Sequence, residues 1–88
     1  MMKVWTPTER EIENTKAWGN WSKEVSEFPW FYDDQETCFI LEGEAEVSDE
    51  KGNIIRFKAG DMVQFEEGLE CVWKITRAVK KRYIFGEG

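Results

Sequence analysis

Two side chains four residues apart, Tyr32 and Glu36, could carry acid–base chemistry. A carboxylate held among aromatic rings can act as a general acid or base, and a tyrosine hydroxyl can donate a hydrogen bond to a substrate or orient the carboxylate. In a purely structural interpretation, Glu36 only accepts hydrogen bonds from Tyr32 or from a backbone N–H. The chain contains no histidine, which excludes Ser-His-Asp and Cys-His catalysis and every metal site built on imidazole.

The two cysteines, Cys38 and Cys71, are the other candidates for reactive groups. Their spacing matches no zinc motif. A reactive thiol needs a neighbouring cation or base that lowers its pKa, and with no histidine to do so we expect both thiols to be inert. A disulfide between them would need paired strands and an oxidising compartment, so we expect two free, buried thiols.

The charge balance argues against a polyanionic partner. The 88 residues include 12 basic and 18 acidic side chains, for a net charge of −6 and a pI near 4.7. The one basic cluster, residues 80–82, is interpreted as a solvated strand end, so nucleic-acid binding is not expected.

No apolar run is long enough for a membrane span, and the N-terminus lacks the apolar core of a signal peptide. We expect a soluble cytoplasmic protein.

The elements that must position these groups are mostly strands. Residues 8–18 predict one short helix, because Thr8 and Glu11 have the spacing of a capping box, and Gly19 should end it. From Trp30 onwards, short apolar runs alternate with turn signals roughly every eight to twelve residues, which is typical of a small all-β sandwich or barrel. The predicted turns lie at residues 42–43, 49–53, 59–61 and 66–68.

Side chains alternate along a strand, and this alternation sorts the candidates. Glu36 and Cys38 share one strand face, and Trp30 and Tyr32 join it if the extended geometry reaches back through Pro29. On a later strand Lys74 should face water, which turns the odd-numbered residues inward. Trp18 and Trp21 precede the barrel and could cover its open end or lie in a dimer contact. The predicted pocket is lined by Trp30, Tyr32, Glu36, Cys38, Cys71 and Trp73.

Two stretches resemble the paired motifs of the cupin family. Residues 36–43 are similar to the end of the first motif, G-x5-H-x-H-x3,4-E-x6-G, and residues 60–75 are similar to the second, G-x5-P-x-G-x2-H-x3-N. More narrowly, residues 28–32 and 68–73 look like the small cupins related to the ureidoglycine aminohydrolase cupin domain. The resemblance implies an all-β cupin barrel (a double-stranded β-helix or jelly roll), preceded by a short helix or loop segment. The length predicts one domain over residues 1–88, with the barrel spanning roughly 25–86.

This sequence departs from the cupin pattern at the metal ligands. The three histidine positions of the motifs fall on Trp30, Tyr32 and Cys71, and only Glu36 remains of the usual three-His-one-Glu set. Indole offers no ligand, and phenol ionises only near pH 10. We therefore expect no metal cofactor. The resemblance also implies a homodimer.

Three functions fit these residues. The first is binding of a small polar or planar metabolite in an aromatic-lined pocket without a metal. The second is an enzyme acting on a ureide or another small nitrogenous substrate, with Glu36 as the acid or base and Tyr32 as the hydrogen-bond donor. The third is a structural or interaction protein whose pocket is filled by its own side chains, in which Trp30 and Trp73 would be packing residues.

Overall fold

Seven antiparallel strands account for most of residues 1–86, the part of the chain that the computed structural model describes. In chain order the elements are β1 (Met2–Trp5), α1 (Glu9–Asn14), a 3-10 turn (Thr15–Ala17), β2 (Gly19–Lys23), β3 (Ser26–Phe31), β4 (Glu36–Asp49), β5 (Ile54–Lys58), β6 (Met62–Phe65) and β7 (Glu70–Phe85). No helix among these residues is long and apolar enough to cross a membrane.

The N-terminal helix begins as the sequence predicts. Thr8 Oγ accepts a hydrogen bond from the Glu11 backbone N–H at 3.2 Å, and the Glu11 carboxylate accepts one from the Thr8 N–H at 3.0 Å. This reciprocal pair is the predicted capping box. The α-helix ends earlier than expected, at Asn14, because the last turn tightens into the 3-10 geometry before Gly19 opens β2.

Two long strands, β4 and β7, form the frame of the barrel. They pair with each other along the whole of β4, from Glu36 to Asp49. Strands β5 and β6 also pair with β4, and strands β2 and β3 also pair with β7. The predicted turn at residues 42–43 is wrong, because β4 continues through it. The register between β4 and β7 shifts at this place, so the sheet bends there instead of reversing. Strands β1 and β2 add pairs to the sheet before residue 25.

Alternation along β7 follows the predicted parity. Cys71, Trp73 and Ile75 are buried, whereas Val72 and Lys74 are exposed. The inward side chains of neighbouring strands meet in one aromatic and aliphatic core. Its largest fully buried side chains are Trp73, Tyr32, Phe65, Ile40 and Ile75.

Gly43 makes the bend in β4 sterically feasible. Its φ is +93°, and a Cβ added there would lie 2.2 Å from the carbonyl oxygen of Ala78 on β7. Gly52, in the turn before β5, has a similar φ of +88° but no neighbour within 4 Å of the same position. A substitution at Gly52 therefore tests backbone strain alone, whereas one at Gly43 tests strain together with the close contact between strands.

We expect Gly43→Ala to destabilise the protein more than Gly52→Ala. The Gly52 variant should lose about 1–2 kcal/mol of unfolding free energy from left-handed backbone strain. The Gly43 variant should lose about 1–3 kcal/mol more, because the methyl group meets the backbone of β7. Urea unfolding of both variants and the parent measures the difference, and equal losses would contradict the close contact.

Candidate functional site

An aromatic-walled cavity of about 210 Å³ opens on one side of the barrel. Most of its lining is aromatic, and the two exceptions carry opposite charges. The lining residues are Trp21, Phe28, Trp30, Tyr32, Glu36, Trp73, Lys81, Tyr83 and Phe85.

Four strands and one loop bring these side chains together. β7 supplies residues from both of its halves, because its inward-facing positions run from Trp73 to Tyr83 along one bent strand. The loop residue Tyr32 is fixed by its backbone, whose N–H donates to Leu69 O at 2.9 Å and whose carbonyl accepts from Gly68 N–H at 2.7 Å. The loop therefore holds the Tyr32 ring inside the barrel, where it is 1% exposed.

A buried ion pair forms the polar part of the cavity. Lys81 Nζ lies 3.2 and 3.1 Å from the two carboxylate oxygens of Glu36, and each residue is only 4% exposed. The same ammonium lies 3.4 Å from Cys38 Sγ. A charge removed from water in this way needs a partner, and each of these residues neutralises the other.

This pair corrects the prediction that residues 80–82 form a solvated strand end. Lys80 does point outward, where it pairs with Glu42 at 3.3 Å, but Lys81 has the opposite parity and points into the barrel. The signal was present in the sequence, since Val79, Lys81 and Tyr83 continue the odd-numbered face of Trp73. The prediction missed it because adjacent basic residues are usually solvated, and the carboxylate that allows Lys81 to be buried lies 45 residues away.

Two indole rings complete the surroundings of the ammonium. Lys81 Nζ is 4.7 Å from the ring centroid of Trp21 and 4.8 Å from that of Trp73. Cation–π contacts of this kind strengthen when water is excluded. The cavity therefore favours a positive charge at the position of this nitrogen.

The aromatic wall is ordered by ring contacts and one hydrogen bond. Trp73 stacks on Phe28 with a 10° angle between the planes, and its Nε1–H donates to Tyr32 Oη at 3.2 Å. Burial, followed by the nearby Glu36 carboxylate, raises the pKa of Tyr32 far above its ordinary value. The Tyr32 hydroxyl is therefore protonated at neutral pH.

The structure brings together four of the six predicted pocket residues: Trp30, Tyr32, Glu36 and Trp73. The thiols do not line the cavity. Cys38 lies behind Lys81, and Cys71 packs beside β3, its Sγ 3.5 Å from the Trp30 carbonyl. Both are free. Trp21, which the sequence placed either over the open end of the barrel or in a dimer contact, lines the cavity. The residues that sequence reasoning missed are Phe28, Lys81, Tyr83 and Phe85.

Burial keeps both thiols protonated. It raises the pKa of Cys71 to about 11. It also raises the pKa of Cys38 well above the ordinary value, although the Lys81 ammonium partly opposes the effect. A protonated thiol is a poor nucleophile, so neither cysteine is prepared for covalent chemistry.

The bent antiparallel barrel with one inward-facing pocket defines a small cupin domain. Residues 10–83 match the EutQ-like cupin domain family, and the chain belongs to that family. A comparison with curated proteins found no match.

Solved structures support the same assignment. The crystal structure of a DUF861 family protein from Thermotoga maritima is 42% identical, with a TM-score of 0.93 over 97% of this chain and 99% of that one. A putative ethanolamine utilization protein EutQ from Salmonella typhimurium is 24% identical, with a TM-score of 0.71 over 97% of this chain and 68% of that one. The Clostridium difficile EutQ protein is 13% identical, with a TM-score of 0.71 over 77% of this chain and 53% of that one. The last two matches show the fold alone.

The residues of this pocket do not fit the metal that cupin motifs usually hold. Glu36, the one remaining motif ligand, already binds the Lys81 ammonium through both carboxylate oxygens. Within residues 1–86, no three side chains of the His, Cys, Asp or Glu types lie close enough to share an ion. The nearest other donor, Cys38, is protonated and also contacts the ammonium.

We expect removal of one member of the buried pair to cost much more than removal of both. Lys81→Met leaves an unpaired buried carboxylate and should lower the unfolding free energy by about 3–5 kcal/mol. Adding Glu36→Leu removes that charge, so the double variant should be more stable than Lys81→Met alone. Denaturant unfolding of the single and double variants measures the coupling.

The neighbouring exposed pair provides the matched control. Lys80 and Glu42 side chains are 57% and 65% exposed. Lys80→Met should therefore cost at most about 1 kcal/mol. If Lys81→Met lowers the unfolding free energy no more than this control does, the stability of the protein does not depend on the buried pair.

Proposed function

We propose that this protein binds a small planar or polar metabolite in the aromatic cavity without a metal ion. The observation that carries the proposal is the cavity itself, in which aromatic rings surround one buried pair of opposite charges. Pockets for small molecules are mostly apolar, with a few polar groups that fix the ligand's orientation. A volume of about 210 Å³ is below the usual range of drug-sized sites, so the ligand is a small metabolite.

The rings and the charged pair have different roles in this proposal. Trp30 and Phe85 are about half exposed, at 50% and 47%, and form the rim through which a ligand enters. The stacked pair of Phe28 and Trp73 provides a flat apolar wall. Each carboxylate oxygen of Glu36 keeps a lone pair beyond the one used by Lys81 and can accept a ligand N–H.

We expect Trp30→Ala to weaken ligand binding while Phe31→Ala leaves it unchanged. The two residues are adjacent on β3 and similarly exposed, but only Trp30 lines the cavity. Quenching of tryptophan fluorescence by allantoin, adenine and benzoate is a direct measurement, since Trp21 and Trp73 stay in the pocket of both variants. Loss of one stacked ring should raise Kd about 5- to 100-fold.

The same titration tests the other parts of the proposal. Dialysis against a chelator should leave the quenching unchanged, because no metal takes part. If none of these or related compounds binds, the cavity is not a ligand site and the protein has a structural or interaction role. Equal effects of the two alanine substitutions would place the ligand outside the cavity.

A second candidate function is an enzyme acting on a ureide, as in the small cupins related to ureidoglycine aminohydrolase. Glu36 is the candidate acid or base, and its contact with the Lys81 ammonium gives it a proton donor at 3.1 Å. Tyr32, protonated beside it, is the candidate donor to the substrate. Release of ammonia from a ureide, lost in Glu36→Gln, would favour this function over simple binding.

Both functions suit a cytoplasmic protein, and the free thiols agree with that compartment.

The proposal also includes a homodimer that uses the outer face of strands β3, β7, β4 and β5. Apolar side chains on this face include Phe31, Val72 and Ile54, which are 54%, 38% and 50% exposed. Beside them a row of alternating charge crosses the four strands: Glu27, Lys74, Glu46 and Arg56. A two-fold axis along the strands places each acid of this row opposite a base of the second copy. The row is therefore self-complementary.

We expect Phe31→Glu to convert a dimer to monomers, because it places a buried charge within that contact. Sedimentation velocity over a range of concentrations measures the change. Val25→Glu is the control, since Val25 is 61% exposed but lies between β2 and β3, outside the face. A parent protein that stays monomeric at the highest concentration would contradict the dimer.

A further inference from the structure

We infer that Lys81 is a nucleophilic amine that forms a reversible imine with a small aldehyde or ketone held in the cavity. The inference rests on the proposed function, because it names the ligand class of the same cavity. It adds a covalent step, which simple binding does not require. The observations that carry it are the position of Nζ, the proton acceptor beside it and the rings around it.

Lys81 differs from the other lysines in its surroundings. Among the residues that the structure describes, it is the one buried lysine, and its side chain still lines an open cavity. A lysine amine placed in an apolar pocket is the usual nucleophile for carbonyl compounds. The aromatic walls also limit the water that would hydrolyse the imine.

Glu36 is placed to move the protons that this reaction needs. Its Oε2 lies 3.1 Å from Nζ, so the carboxylate can take one proton from the ammonium and free the nitrogen lone pair. The lone pair then forms a bond to the carbonyl carbon, and a second nitrogen proton moves to the former carbonyl oxygen. Glu36 returns its proton to that hydroxyl, which leaves as water. Ammonium and carbonyl compound thus become iminium and water, and the carboxylate is regenerated.

The electrostatics of the cavity favour the product as well as the reactant. An iminium keeps the positive charge on the same nitrogen, beside Glu36 and between the rings of Trp21 and Trp73. The neighbouring Cys38 does not compete, since burial keeps it as a protonated thiol.

Reductive trapping tests the inference on the full chain. The protein is incubated with acetone and sodium cyanoborohydride, digested, and mapped by mass spectrometry for isopropyl groups on each lysine. We expect labelling of Lys81 to exceed that of Lys80, the exposed neighbour on the same strand. Glu36→Gln should slow the labelling of Lys81 by about 100-fold, the usual contribution of general acid–base catalysis. Lys80→Arg should leave the labelling of Lys81 unchanged.

The outcomes separate this inference from the proposed function. Lys81→Arg keeps the charge beside Glu36 but should abolish the pocket label. If the arginine variant does not fold, the double variant Lys81→Met with Glu36→Leu serves, because it leaves no buried charge unpaired. Labelling that follows solvent exposure, with Lys80 modified before Lys81, would overturn the imine. If fluorescence titration still shows a ligand in the cavity, the proposed binding function survives that result. If neither label nor ligand is found at the cavity, both fail.

Discussion

The contact between Lys81 and Glu36 is the constraint on which the interior of this barrel depends. The two residues come from β4 and β7, the strands that pair over the longest stretch. A register slip of one residue would turn either charge outward and leave the other unpaired in the core, at a cost of several kcal/mol. The pair therefore selects one register, and the rings that surround the ammonium are placed as a consequence.

The cavity combines a polar pair with apolar walls. A core made only of aromatic and aliphatic side chains would close to the packing density of a protein interior. Here the ammonium takes its contacts from a carboxylate, a thiol and two ring faces, and the rings of Trp21 and Trp73 meet edge to face beside it. The space that remains is apolar on its walls and charged on one side, which is the usual arrangement of a site for a small molecule.

Local sequence signals predicted the structural features that depend on residues close together along the chain. The capping box of Thr8 and Glu11, the parity of β7 and the inward position of Glu36 all follow from short-range spacing. The bend at Gly43 was predicted as a turn because a glycine with positive φ suits a turn and a bend equally. What distinguishes the two is the close approach of Ala78 on the distant strand β7. Lys81 was missed for a similar reason, since its partner lies 45 residues away.

A tethered ammonium gives this barrel a different chemistry from a bound metal ion. A metal would accept electron pairs from a ligand and activate water, whereas in the inference drawn above Lys81 donates hydrogen bonds and, once deprotonated, attacks an electrophile. Its charge is also fixed by a covalent chain and cannot be exchanged for another ion. The position of Glu36 is common to both arrangements, but here its partner is an amine rather than a Lewis acid. The pocket thus retains the carboxylate of the cupin motif, and the ligand classes that we propose for it, carbonyl compounds and flat rings, follow from the amine and the aromatic walls.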